Sequence, residues 1–216
     1  MSELKVNGIV ASTGTNTNLT LDGKGTGITA IGSGATVGGN LILQTGIHTI
    51  WVPVAAMRPT LSNGCASITD VETTSGRPDM QVLDFDNSSD EHAQFQIGFP
   101  KSWNEGTVRY RIFWTSVATG ATGVAWALQG VSVANDSTID VAYGTAIVVP
   151  DDNIGAAEDC LVTDTSDTVT IASAAVDTTT FFRIFRDVSN ANDDMTEDAR
   201  LIGVQIFYTT DAVNDD

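Results

Sequence analysis

From residue 92 onward, apolar and polar residues alternate with a period of two. Phe95, Ile97 and Phe99 fall on one side of Gln94 and Gln96, and Val108, Tyr110, Ile112 and Trp114 oppose Arg109 and Arg111. Val124, Trp126 and Leu128 repeat the pattern, and Ile202, Val204, Ile206 and Tyr208 give the last such run an apolar face. Successive side chains of a strand point to opposite faces, so each run reads as a strand with one face in a core and one in water. The pattern predicts strands at 47–54, 66–71, 80–85, 92–99, 107–115, 123–133, 137–145, 168–172, 180–186 and 199–209. Turn-forming clusters separate them, as in an antiparallel sandwich. The one helical element expected is a turn around residues 194–200. The fold class that follows is all-β, an antiparallel jelly-roll-like sandwich of eight strands from about residue 78 onward, preceded by one or two joining strands.

Residues 1–49 read differently. They contain no Phe, Tyr or Trp, only four charged side chains (Glu3, Lys5, Asp22, Lys24), and half of the chain's 20 glycines. Such a segment has too few large apolar groups to build a core alone. It does contain short alternating runs around Leu19 and Leu21, Ile28 and Ile31, and Leu41 and Leu43, punctuated by Gly-rich turns. Three copies wound about a common axis would bury these six side chains and satisfy the strand edges. The expected organisation is therefore a 1–49 arm or stalk, for trimerisation or attachment, followed by a 50–216 sandwich.

Charge narrows the partners. Ten Lys and Arg stand against 27 Asp and Glu, a formal net charge of -17. A field of that sign repels phosphate backbones and anionic headgroups, so nucleic acid and membrane insertion are not expected. No apolar run reaches bilayer length, and the Met-Ser-Glu-Leu-Lys start lacks the features of a signal peptide, so synthesis in a host cytoplasm is expected. Cys65 and Cys160 lack metal or redox spacing and read as small buried apolar residues, with a disulfide between them left open.

Little in the sequence points to catalysis. His48 and His92 fall in predicted strands without partners at metal-ligand spacing, and no Gly-x-Ser-x-Gly elbow exists. Acids cluster at Asp84, Asp86, Asp90 and Glu91, at Asp151 and Asp152, and at Asp187, Asp193, Asp194, Glu197 and Asp198. Paired carboxylates can hydrolyse glycosides, but acids in loops ordinarily make turns and caps. No cofactor is expected. Calcium in the 187–198 loop is the one inorganic ligand left open, although Ser189 and Ala191 break the EF-hand spacing. Trp114 and Trp126 are in phase with core residues, whereas Trp51 and Trp103 lie at a junction and in a loop, where an aromatic can stack on a sugar or fill an interface.

Two stretches carry a resemblance. Residues 11–27, Ala-Ser-Thr-Gly-Thr-Asn-Thr-Asn-Leu-Thr-Leu-Asp-Gly-Lys-Gly-Thr-Gly, resemble short repeats near the starts of fibrous proteins of tailed bacteriophages. Phe182-Arg-Ile-Phe-Arg-Asp187, followed by residues 194–204, is similar to the end of a β-sandwich found among phage structural proteins. The resemblance implies membership in a virion and not which part of it; together with the composition, the leading expectation is a non-enzymatic structural protein on the particle surface. It would be a capsid decoration, head-fibre or short fibre protein, partnered by itself as a homotrimer and by the major capsid protein or a tail or fibre protein. The alternative is a receptor-binding module that recognises host-surface glycan through Trp51 and Trp103.

Overall fold

The computed structural model describes residues 46–212 and Asp215. Twelve strands form two sheets in this region: β1 (Ile47–Pro53), β2 (Arg58–Pro59), β3 (Thr69–Glu72), β4 (Asp79–Phe85), β5 (His92–Ile97), β6 (Arg109–Thr115), β7 (Gly123–Val133), β8 (Ile147–Asp152), β9 (Leu161–Val162), β10 (Ile171–Ala172), β11 (Thr179–Arg186) and β12 (Ala199–Thr209). Sheet 1 runs β3-β4-β12-β6-β9, with β1 pairing the end of β12 that β4 leaves free. Sheet 2 runs β2-β5-β11-β7-β10, with β8 beside the first half of β7. All pairings between these strands are antiparallel except β7 with β10. The architecture is thus the all-β, jelly-roll-like sandwich that the alternation predicts.

The two sheets pack through the apolar side of each strand. Leu83 and Phe85, Phe95, Tyr110, Ile112 and Trp114, Trp126 and Leu128, Phe182 and Ile184, and Val204 and Ile206 all belong to one core. Phe85 meets Trp126 edge-on at 5.2 Å, and Phe95 stacks on Phe182 at 5.2 Å, geometries that favour aromatic pairs. The Tyr110 hydroxyl crosses from sheet 1 to sheet 2, within reach of the carbonyls of Trp126 (3.0 Å) and Ile147 (2.7 Å). That satisfies a phenol that would otherwise be buried without a partner, and burial pushes its pKa well above the ordinary tyrosine range.

Several expectations are corrected. The strand expected at 137–145 is irregular chain, and β8 forms just after it. No helix forms at 194–200; the one helical segment among the described residues is a single 3-10 turn, Val54–Ala56. The strands before residue 78 are more than a joint. β1 straddles the boundary expected at residue 50, lies along β12 for seven residues and, with the turn after it, sends Val52 and Val54 into the core. In β12 a bulge between Leu201 and Gly203 shifts the phase by one residue. Ala199 and Leu201 therefore share the core with Val204, Ile206 and Tyr208, while Ile202 is only partly buried. The candidate interface residues Leu19, Leu21, Ile28, Ile31, Leu41 and Leu43 lie outside the described residues.

Arg186, at the end of β11, is fully buried and holds the loop between β11 and β12. Its Nε and Nη2 donate to the Asp193 carboxylate at 2.8–3.1 Å. Nη1 donates to the carbonyls of Phe85 (3.2 Å) and Glu197 (2.9 Å), and Nη2 also donates to that of Met195. All five guanidinium N–H groups find acceptors, which is what allows this charge to be buried. We expect Arg186→Met to cost on the order of 3–5 kcal/mol in denaturant unfolding, because Asp193 and three carbonyls lose their donor together. Asp193→Asn, which keeps an oxygen toward the guanidinium, should cost less; equal costs would argue against this account.

Candidate functional site

The outward side of sheet 2 carries side chains unlike those of a bare wet face. Register aligns Arg58 on β2, Gln94 on β5, Arg183 on β11 and Gln129 on β7 in one row across the strands. With each amide oxygen turned toward its guanidinium, Gln94 Oε1 accepts from Arg58 Nη2 (2.6 Å) and Nε (2.8 Å). Gln129 Oε1 accepts from Arg183 in the same two-pronged way, and Gln129 Nε2 donates to the Gly144 carbonyl at 3.1 Å. The Arg183 guanidinium also lies over the Tyr143 ring, 5.1 Å from its centroid. Planar groups locked by such pairs keep fixed orientations, which lowers the entropy cost of using them on a ligand.

Beside this row, Gln96, Phe181 and Val131 form the next one. Here two depressions meet, of about 180 Å³ and 600 Å³, sharing Gln96 and Phe181. The smaller is walled by the Val54–Ala56 turn, Met57 and Arg58; the larger is walled by residues 133–139 and 177–179. Together they make an open cleft with an aromatic ring in its floor. Arg58 and Gln94 stand toward one end, and Asn135, Asp136, Ser137 and Asp177 at the other. Asp136 and Asp177 adopt left-handed backbone (φ 60° and 56°), so turn geometry accounts for Asp at both positions without a catalytic demand.

Most of the carboxylates singled out from sequence are drawn into internal bonding. Asp151 accepts from Trp114 Nε1 (2.7 Å), Asp86 from the backbone and hydroxyl of Ser88, and Asp90 from Val188 N. Asp187 accepts from the Ser189 hydroxyl, and Asp193 and Asp194 accept from the backbone of Ala125 and Gly123 at the start of β7. Gly123 is needed there, because a Cβ would lie 2.2 Å from the Asn192 carbonyl oxygen. Among the described residues no three His, Cys, Asp or Glu side chains converge as a metal would require. The His92 ring faces the Asn63 carbonyl at 3.1 Å and Phe185 at 5.1 Å, and His48 lies against Tyr208.

The aromatic candidates separate. Trp51 is 45% exposed on the outside of sheet 1, its six-membered ring over Gly203 and its edge against Phe113 (5.1 Å). Trp103 is corrected to a core residue, 1% exposed and stacked on Phe99 at 4.2 Å, so it offers no surface to a ligand. Cys65 is buried as expected and its thiol is pushed up to about 12, chiefly by burial; Cys160 is exposed, and no disulfide joins them.

No known family model and no curated protein sequence matches this chain. Among solved structures it is similar to the CBM36-1 domain of a multidomain xylanase from the hindgut metagenome of Trinervitermes trinervoides (8% identity, 74% of this chain and 96% of that one, TM-score 0.38). It is also similar to a family 11 carbohydrate-binding module from Clostridium thermocellum in complex with a mixed-linked tetrasaccharide (9%, 82% and 93%, TM-score 0.36). A third is TmCBM61 in complex with β-1,4-galactotriose (12%, 76% and 88%, TM-score 0.30).

Burial raises the carboxyl pKa of Asp84, Glu91 and Asp151 above the ordinary range, against the opposing pull of Arg200 on Asp84, of the Asp86 amide on Glu91 and of the Trp114 indole on Asp151. A raised acid stabilises the fold below its unfolded value, and that contribution is lost as pH rises through the folded value. His92 acts oppositely: burial lowers its pKa, so its contribution is present above the unfolded value and lost as pH falls. The acids therefore act just above the ordinary carboxylate range, about pH 4 to 4.5, and the histidine near pH 6.5. Asp151→Asn should remove part of the stability that the parent gains as pH falls toward that range, and His92→Gln part of what it loses below about pH 6.5, both read from melting midpoints against pH. An Asp151→Asn midpoint that follows the parent's through the acid range would overturn the assignment.

Proposed function

We propose that this chain is a non-catalytic, surface-displayed module of a tailed-phage particle whose sheet 2 cleft binds a neutral oligosaccharide of the host surface. The observation that carries the binding reading is the cleft floor: Phe181 lies between the Arg58–Gln94 pair and the Asn135, Asp136, Ser137 and Asp177 edge. An aromatic face packs against the C–H side of a pyranose ring, while amides, carboxylates and a guanidinium bond to its hydroxyls. The open shape suits an extended chain of sugars. Asp136 and Asp177, on a protein of charge -17, disfavour anionic sugars. The virion setting rests on the resemblance of residues 11–27 and of the Phe182–Asp187 and 194–204 stretches to phage structural proteins.

A glycan array followed by calorimetry tests the binding reading. Phe181→Ala should weaken binding roughly tenfold, about 1.4 kcal/mol, with the fold intact. Arg58→Ala should also weaken it, and no reducing ends should be released. An empty array, or a Phe181→Ala protein that binds as the parent does, would sink the cleft assignment; release of reducing ends would make the protein an enzyme. A gold-tagged antibody against this chain should label intact phage particles, and clean particles would remove the virion setting while leaving the binding result untouched.

A further inference from the structure

We propose that two copies of this chain pair antiparallel through the edge of β1 that faces away from β12, about a two-fold axis at Thr49, joining their sheets 1 into one continuous sheet. Among the described residues β1 pairs with β12 alone. The Thr210 amide donates to the Gly46 carbonyl at 2.9 Å, and the register runs unbroken from Ile47 to Pro53. Backbone bonding alternates along an antiparallel strand, so His48, Ile50 and Val52 turn their N–H and C=O groups toward β12. Ile47, Thr49 and Trp51 turn theirs outward. Pro53 also faces outward but has no N–H to offer.

The side chains of this edge are self-complementary in one register. Setting Thr49 opposite Thr49 of the second copy places Ile47 opposite Trp51 on both sides of the axis. The three outward donors then find carbonyls, and Pro53 stays outside the ladder. Ile47 is 75% exposed and Trp51 45%, and the pairing would cover both. Aromatic with β-branched and Thr with Thr are favourable cross-strand pairs.

Charge favours a second copy as occupant. The Ile47–Pro53 strand carries no Asp, Glu, Lys or Arg, in a chain with 27 acids. Two such chains repel each other over most of their surface but not here. The devices that usually block an edge, a charged side chain or a central proline, are missing. The face beside β1 continues the theme: Trp51, Phe113 and Phe207 lie with Arg111, whose guanidinium is 5.9 Å from the Phe207 centroid. Aromatic residues and arginine are enriched, and acids depleted, where proteins meet.

The test uses the full chain in a Cys160→Ser background, which removes the exposed native thiol. Light scattering should give twice the 22.7 kDa chain mass at micromolar concentration. Thr49→Pro should yield monomers with unchanged circular dichroism, since the Thr49 amide points away from β12. Thr49→Cys should form a disulfide between chains under mild oxidation, because opposed residues of a bonded pair lie about 5.5 Å apart at Cα, within disulfide reach. A monomeric parent, as when residues 1–45 occupy the edge within one chain, would overturn the proposal. So would a trimer indifferent to Thr49→Pro, or a dimer that Thr49→Cys fails to cross-link.

Discussion

The buried guanidinium of Arg186 is the interaction on which the sandwich depends. It sits where β11 leaves sheet 2, and its acceptors lie on the end of β4 and along the loop that leads to β12. One side chain thus ties both sheets to the loop that crosses between them. Asp193, held by that guanidinium, also accepts from Ala125 N, and the next residue accepts from Gly123 N. The start of β7 is thereby fixed at the same point, and β7 supplies Trp126 and Leu128 to the core and Gln129 to the outer row. A buried charge removed from this network would leave its partners stranded in a low-dielectric interior, which is why the loop cannot drift independently of the sheets.

The acids of that loop look from sequence like ligands for calcium. In the structure three of them are engaged within the chain: Asp193 by arginine, Asp187 by Ser189, Asp194 by the β7 backbone. Nothing in the spacing of residues 187–198 announces an arginine partner at the end of β11, since Arg186 reads in the strand pattern as one more alternating position. The same holds for Asp151 and Trp114, 37 residues apart in sequence and 2.7 Å apart in space. Pairings over such distances in the chain depend on how the sheets stack, which local pattern does not encode.

Where the pattern is local, it is legible. β7 and β12 match their expected bounds, because each is long and packs one face against a single partner sheet. Failure at 137–145 has a physical reason: Ile139, Val141 and Tyr143 alternate, but the first two are exposed and Tyr143 packs under Arg183 on the outside of sheet 2. The segment crosses over the sheet, with Gly144 N bonded to the Gly130 carbonyl, instead of joining its ladder. β8 is hidden by Pro150 and two aspartates, which an outer strand tolerates and a central one would not. Trp103 stands next to Asn104 and Glu105 and looks solvent-facing, yet Phe99 draws it inward. Of the cleft, the polar alternation of Gln94 and Gln96 is visible in the sequence, but the rows that bring Arg58, Arg183 and Phe181 beside them are set by strand order.

Arginine placement makes the difference between the two outer faces a matter of electrostatics. Arg58 and Arg183 lie on sheet 2, each tied to a glutamine, and Arg109 and Arg111 lie on β6 in sheet 1, Arg111 near the Phe207 ring. Arg186 and Arg200 are paired with aspartates, at 2.8 and 3.5 Å. The acids instead concentrate in loops and turns, so the sheet faces are the parts of this acidic chain least repelled by anything that approaches. On sheet 2 the guanidiniums are neighbours of amides and one aromatic floor, a surface of directional donors and acceptors suited to hydroxyls. On sheet 1 the guanidiniums are neighbours of indole, phenyl rings and an uncharged strand edge, a surface suited to burial against protein. The same fold therefore keeps a polar face and a more apolar, aromatic face on opposite sides of one core.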